Sequence, residues 1–285
     1  MYVGMNTAIG RSIPRKEAWD KVTGRAKYTE DSKTAGVLSA RLLTSTMAHA
    51  VIRRIDITKA LAVKGVKSVL IGAEFPELFG PLLLDRPALA RDVVRYAGEP
   101  VALVVAEDEP TAEQAVRLIE VAYEPLPVVL TPSEALAEGA VLLHSQAGGY
   151  QKIMTDVYPE DGTNIASRYR MEKGSAQKAF GRCDEIIQRR FFLPPSDHLA
   201  MEVRCTRAEI SAEGKVSITT SSQAPYTVRK QLSDAFAIPS GKIQVNVPLV
   251  GGGFGGKAAV SLEILAFLAS RSVGGRAVNL TISRE

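Results

Sequence analysis

Residues 101–123 read VALVVAEDEPTAEQAVRLIEVAY, and this stretch decides the fold of the first half of the chain. The unbroken apolar run 101–106 is typical of a strand that is covered on both faces. Asp108 or Glu109 can cap the helix that follows, with Pro110 in its first turn. A second strand begins near residue 121. The strand–helix–strand order therefore predicts the core of an α+β domain.

Outward from this core, composition divides the chain into four parts. Residues 1–19 are polar and contain glycine and proline, so we expect an extended N-terminal arm. Residues 20–132 form the first α+β domain. Residues 133–173 are poor in apolar periodicity and contain several glycines, which predicts a linker. Residues 174–285 begin a second α+β domain.

The second domain alternates strand-like and helical patterns. Its predicted strands are 185–192, 205–210, 216–220, 243–247 and 278–282. Its predicted helices are 176–180, capped by Ser175, a helix around 228–236, and a short apolar helix around 260–270.

Composition excludes several classes of protein. Lys and Arg total 35 against 31 acidic residues, and the charges are scattered, so nucleic-acid binding is not expected. Cys183 and Cys205 form no CxxC pair, which excludes an iron–sulfur cluster or a cysteine zinc site held by this chain alone. The N-terminus has no apolar core typical of a signal peptide, and the helix around 260–270 is too short to span a membrane. We expect a cytoplasmic protein.

Residues 250–257, VGGGFGGK, carry the strongest chemical signal. Five glycines in six positions between a predicted strand and a predicted helix allow backbone N–H groups to approach an anion or cofactor at a helix N-terminus. The pattern from Gly251 to Lys257 also approaches a nucleotide-binding P-loop, but Ala258 stands where that loop needs Ser or Thr to hold Mg²⁺. A cofactor loop and a tight turn without a ligand are therefore both open on spacing alone.

Six motifs together resemble a known family. In chain order they are DKVTGRAKY at 20–28, AHA at 48–50, GEPVA at 98–102, HLAME at 198–202, SQAP at 222–225, and the glycine loop at 250–257. They resemble the N-terminal portion of the molybdopterin-binding large subunit of the xanthine dehydrogenase/aldehyde oxidase family.

This resemblance implies a fold and a reaction. The fold would be an a/b hammerhead domain at 20–132, followed by the first, incomplete part of an α+β molybdopterin-binding domain at 174–285. The reaction would be hydroxylation of a heterocycle or an aldehyde, with water as the oxygen source. The molybdenum–molybdopterin site would be shared with a chain that supplies the C-terminal half of the domain. Iron–sulfur and FAD centres would lie on partner subunits.

The resemblance also implies site residues. Gln223 matches the amide that hydrogen-bonds a molybdenum oxo ligand, and an amide can donate there without charge. Phe254 and Gly255 match the loop beside the metal, with the Gly255 N–H facing the cofactor, while Gly252 and Gly253 allow close approach. Without the resemblance, Gln223 is a polar loop residue and Phe254 a core residue. We assign no direct metal ligand.

Departures from the family pattern limit the expected activity. The general-base glutamate is expected beyond residue 285, so no catalytic residue is assigned and the chain alone is expected to be inactive. Some purine-oxidising relatives have Glu at the position of Ala258, which leaves the substrate class open. His198 and Glu202 are four residues apart, but we interpret them as buried hydrogen-bonding residues near the cofactor rather than metal ligands. The alternatives are a partner-binding module without catalysis and a nucleotide-binding protein.

Overall fold

A computed structural model describes residues 9–32 and 35–284, so residues 1–8 of the predicted arm lie outside it. The strands are β1 (Leu38–Thr44), β2 (Ala50–Asp56), β3 (Val66–Ile71), β4 (Leu78–Phe79), β5 (Arg86–Pro87), β6 (Val93–Val94), β7 (Pro100–Ala106), β8 (Glu120–Pro125), β9 (Cys205–Ile210), β10 (Val216–Thr220), β11 (Ile243–Asn246) and β12 (Val278–Thr281). The helices are α1 (Ala18–Val22), α2 (Thr58–Leu61), α3 (Glu109–Val116), α4 (Pro132–Ala135), α5 (Ala176–Phe180), α6 (Pro225–Phe236) and α7 (Leu262–Ser272).

A seven-stranded mixed sheet organises the chain. Its strand order is β11-β10-β9-β12-β1-β7-β3, so strands from both predicted domains share one sheet. The two halves meet where β1 pairs in parallel with β12, for example at Leu38 and Val278. Smaller sheets, β6-β2-β8 and β4-β5, accompany it. The predicted α+β class is confirmed, and the domain limits stay a prediction.

β7 lies second from one edge of this sheet and is buried on both faces, as its apolar sequence predicts. Leu103 and Val105 belong to the large core cluster that includes α7. Ala102 and Val104 pack on the opposite face, in the cluster that includes α2 and α3. The Asp108 carboxylate caps α3 by accepting a hydrogen bond from the backbone N–H of Thr111. The predicted strand, cap and helix are therefore confirmed.

α7 is the most deeply buried helix of the described chain. All nine residues from 262 to 270 are buried, including Glu263. The helix contacts β9 and β12 and covers one face of the large sheet. Within the described ranges, no helix combines the length and apolar character that crossing a membrane requires.

Residues 185–192 do not form the predicted strand. They are exposed and irregular, and no strand of the described part pairs with them. The paired letters of IIQRRFF put apolar and charged side chains on both sides of the backbone, so neither side can be buried against a sheet. By contrast, β9 and β10 occupy the predicted ranges, joined by a turn at Glu213 and Gly214.

The chain around 185–192 exposes many large apolar side chains. We call residues 169–201 the apolar segment. Its exposed members are Tyr169, Met171, Phe180, Ile186, Ile187, Phe191, Phe192, Leu193, Leu199 and Met201. Exposure of this many large apolar side chains along one stretch is unusual for a protein surface in contact with solvent.

Glu99, beside the turn that precedes β7, predicts an unusual dependence of stability on pH. Its side chain is buried, and its Oε2 accepts a 2.6 Å hydrogen bond from the backbone N–H of Arg95. Burial raises the pKa of this carboxyl above its usual value of 4.5, so the folded chain retains the proton longer than the unfolded chain. The stability that the protonated form contributes is complete at acidic pH. It is lost as the pH rises from about 4.5 through the raised pKa.

We therefore expect the Glu99→Gln variant to gain melting temperature relative to the natural chain as the pH rises from 4.5 to 7. Thermal melts followed by circular dichroism across this range test it. Glu107→Gln is the matched control, because the Lys67 ammonium, 2.7 Å away, lowers the pKa of the Glu107 carboxyl. Its difference from the natural chain should stay nearly constant over this range, because the stability that a lowered pKa contributes is lost only as the pH falls below about 4.5. The same slope in both variants would contradict the assignment to Glu99.

Candidate functional site

The glycine loop, residues 250–257, lies between β11 and α7 but does not sit at the helix N-terminus. α7 begins at Leu262, five residues after Lys257. Those residues are held by Arg204, which donates to the carbonyl of Ala259 at 2.8 Å and to the hydroxyl of Ser261 at 3.1 Å. The expectation that the helix N-terminus would present the loop amides to an anion is therefore wrong.

Gln223 is hydrogen-bonded directly to the glycine loop. Its Oε1 accepts from the backbone N–H of Gly255 at 3.1 Å and of Lys257 at 3.3 Å. The backbone N–H of Gln223 donates to the carbonyl of Lys257 at 2.9 Å. A Cβ on Gly253 would lie 2.5 Å from the Gln223 carboxamide, so that position accommodates only glycine in this arrangement.

The hydrogen bond from Gly255 to Gln223 changes the expected role of that amide. The Gly255 N–H donates to the Gln223 oxygen, whereas the resemblance implied that it faces the cofactor. Among the described residues, none accepts a hydrogen bond from the Gln223 Nε2, whose two N–H groups remain available to a ligand. Gln223 therefore shapes the loop through its oxygen and offers its nitrogen.

Lys257 turns into the protein. It is 3% exposed, and its Nζ lies 2.7 Å from the Oε2 of Glu202. The same Oε2 accepts the backbone N–H of Gly251 at 2.8 Å. A P-loop lysine must reach phosphate oxygens in an open site. This lysine is buried and paired with Glu202, so it cannot bind a phosphate, and the nucleotide-binding alternative loses its main support.

Phe254 is presented outward in a strained conformation. Its φ is +50° and its side chain is 73% exposed, so the interpretation of Phe254 as a core residue is wrong. Leu199, also exposed, has a φ of +45°. Left-handed backbone at a residue other than glycine costs about 1–3 kcal/mol and is concentrated at functional sites. The two strained residues therefore make the neighbourhood of the loop a candidate site.

A cavity of about 340 Å³ opens beside the loop, which is within the range of small-molecule sites. Residues 197–200 line one wall and Gly253 and Gly256 another. Arg204 and Arg284 add two guanidinium groups, and Arg284 donates a hydrogen bond to the carbonyl of Met201 at 3.0 Å. The arginines were not expected, because no motif marks them and only the fold brings them to the loop.

His198 and Glu202 have different surroundings. Glu202 is nearly buried and hydrogen-bonded, as expected. The His198 side chain is 49% exposed, with its Nδ1 3.7 Å from the Asp197 carboxylate, so the expected burial of His198 is wrong. Across residues 9–32 and 35–284, no group of three or more His, Cys, Asp or Glu side chains could hold a metal ion.

Two family models cover most of the chain. Residues 23–127 match the model described as the a/b hammerhead domain of aldehyde oxidase and xanthine dehydrogenase. Residues 157–285 match the model of the molybdopterin cofactor-binding domain. The chain belongs to the aldehyde oxidase and xanthine dehydrogenase family. The resemblance found in the sequence motifs is therefore confirmed.

Members of this family align with nearly the whole chain. It is 32% identical over 284 residues to the xanthine dehydrogenase molybdenum-binding subunit of Escherichia coli O157:H7, covering 95% of this chain and 36% of that protein. It is 33% identical to the nicotine 6-hydroxylase large subunit of Paenarthrobacter nicotinovorans, covering 92% of this chain and 32% of that protein. The chain thus spans about a third of the length of these relatives.

A solved structure shows the same fold. The crystal structure of quinoline 2-oxidoreductase from Pseudomonas putida 86 superposes with a TM-score of 0.84 and 32% identity. The match covers 98% of this chain and 35% of that one. The predicted architecture of a hammerhead domain and molybdenum-binding domain segment is therefore confirmed.

Proposed function

We propose that this chain forms the glycine-loop side of the molybdenum–molybdopterin site in a hydroxylase that oxidises a heterocycle or an aldehyde. The observation that carries this proposal is the hydrogen-bonded unit formed by Gln223 and the glycine loop, which exposes Phe254 and lines a cavity with Gly253 and Gly256. When bound, the cofactor takes two electrons from the substrate, and water supplies the oxygen.

Gln223, the glycine loop and two arginines of the adjacent cavity fit this cofactor. Gln223 would hold it through Nε2, and Gly252 and Gly253 would allow its close approach. The positive φ angles of Gly252 and Gly255, 100° and 94°, set a backbone path that other residues would strain to follow. Phe254 would form a wall for the substrate ring. Arg204 and Arg284 favour an anionic group, as the phosphate of a pterin cofactor would supply.

We further propose that the rest of a large subunit, from the same or another chain, covers the apolar segment. The chain spans about a third of its relatives, and the segment leaves large side chains such as Phe192 exposed by 87%. Burial of such side chains is the main favourable term in association. Subunits with iron–sulfur and FAD centres would accept the electrons. The catalytic base would lie outside residues 1–285, and the cytoplasmic location remains a prediction.

The function is tested by the metal content of the complex purified with its natural partner chains. We expect molybdenum and pterin in that complex and neither in this chain alone. Gln223→Ala should lower the molybdenum content by about tenfold, because it removes both the loop's acceptor and the available amide. Gln244→Ala is the matched control, since Gln244 is an exposed amide on β11 that bonds only Asn246 among the described residues. A natural complex without molybdenum would refute the proposal.

A further inference from the structure

The buried ion pair between Glu202 and Lys257 joins the two ends of the glycine loop. At the first end, the backbone N–H of Gly251 donates to the Glu202 Oε2 at 2.8 Å, and the Gly251 carbonyl accepts from the Glu202 N–H at 3.1 Å. At the other end, the Lys257 Nζ lies 2.7 Å from the same Oε2. One carboxylate oxygen therefore closes the six-residue step from Gly251 to Lys257.

The pair is enclosed by a third segment of the chain. The backbone N–H of Thr29, a buried residue, lies 3.5 Å from the Glu202 Oε1. A Cβ on Gly251 would lie 2.6 Å from the Glu202 Cβ and 3.3 Å from the ring of Tyr28. Water is thus largely kept from the pair, which strengthens the attraction between its charges.

Stability alone does not account for such a pair. Removing two charges from water costs about as much free energy as their attraction returns, and apolar side chains of the same size often serve equally well. The pair can instead define the backbone path of the glycine loop. Between its two anchor points, Gly252, Phe254 and Gly255 all have positive φ, and the Phe254 side chain is 73% exposed. A flexible run of glycines would not keep such a path without fixed ends.

We infer that Glu202 and Lys257 are positioning residues that clamp the glycine loop into the shape that receives the cofactor. We assign a positioning role because the two side chains are almost fully buried, 3% exposed for Lys257 and 10% for Glu202, and are bonded to each other at the inner wall of the cavity. The role of the clamp in the enzyme rests on the proposed function, but its effect on the loop does not.

Hydrogen exchange of the full chain tests the clamp without cofactor. The reporters are the backbone amides of Gly255, Gly256 and residue 257, which donate to Gln223 or to the Gly253 carbonyl and not to the ion pair. We expect Lys257→Met and Glu202→Gln to speed their exchange by about tenfold or more. Glu160→Gln, which breaks the exposed pair with Arg168, is the matched control and should leave these rates unchanged.

The double variant Glu202→Gln/Lys257→Met separates positioning from charge compensation, and it remains informative if the single variants fail to fold. It leaves no buried charge, so we expect urea unfolding to show natural or near-natural stability. Exchange at the three reporter amides should nevertheless remain about tenfold faster than in the natural chain, because the ion pair no longer joins the two ends of the loop. Exchange at the natural rate in the folded double variant would overturn the clamp. Absence of molybdenum from the natural complex would overturn the proposed function and leave the clamp standing.

Discussion

Replacement of Glu263 by alanine is expected to lower the free energy of unfolding by about 3 kcal/mol. This carboxylate is 2% exposed in the first turn of α7. Its Oε1 accepts from the Thr220 hydroxyl at 2.8 Å, and its Oε2 accepts from the Ser261 N–H at 3.3 Å. Arg204 lies 3.9 Å away. The variant opens a buried space, removes the carboxylate that the buried Thr220 hydroxyl donates to, and leaves the Arg204 guanidinium without its counter-charge.

Urea unfolding followed by circular dichroism measures this loss. Glu113→Ala is the control on an exposed helix, because the Glu113–Arg117 pair spans one turn in solvent. Such pairs contribute less than about 0.5 kcal/mol. A Glu263→Ala variant as stable as the Glu113→Ala variant would show that the buried carboxylate does not join α7 to β10.

Replacement of Phe254 by glycine is expected to separate stability from activity. Glycine adopts the observed φ of +50° without strain, so the free energy of unfolding should stay the same or rise by up to about 1 kcal/mol. In the complete enzyme complex, the proposed role of Phe254 predicts that kcat/KM for a nitrogen heterocycle falls by about a hundredfold, because the ring proposed to orient the substrate is removed. Urea unfolding of the chain and steady-state kinetics of the complex provide the two measurements.

Ala237→Gly is the matched control for this strain. Ala237 follows the last residue of α6 with a φ of +52° and lies outside the glycine loop. Its replacement should give a similar change in stability with kcat/KM unchanged. A strong loss of stability in Phe254→Gly would instead show that the ring packs in an interior, and unchanged kinetics would remove Phe254 from the site.

Local patterns predicted those elements whose burial is decided within a few residues. β7 was predictable because 101–106 has no polar side chain, and the structure buries it on both faces. α3 was predictable because Asp108 and Pro110 mark its start. The motif 222–225 and the loop were expected to act together, and the hydrogen bonds of Gln223 do bring them together.

Other features depend on contacts that no local pattern contains. The strand predicted at 185–192 fails because β-propensity without a partner strand does not order a backbone. The inward turn of Lys257 depends on Glu202, 55 residues earlier. The half-exposed position of His198 and the arrival of Arg204 and Arg284 at the cavity likewise result from tertiary packing.

The parallel pairing of β1 with β12 ties the fate of one half of the molecule to that of the other. Leu38, Ser39 and Ala40 lie opposite Val278, Asn279 and Leu280. A cut within 133–173, followed by separation of the two pieces, would expose an unpaired edge of β1 on one piece and of β12 on the other. The unpaired backbone groups of the two pieces are complementary, so the pieces should reassemble with each other. Before they do, each exposed edge could pair with unrelated chains and aggregate.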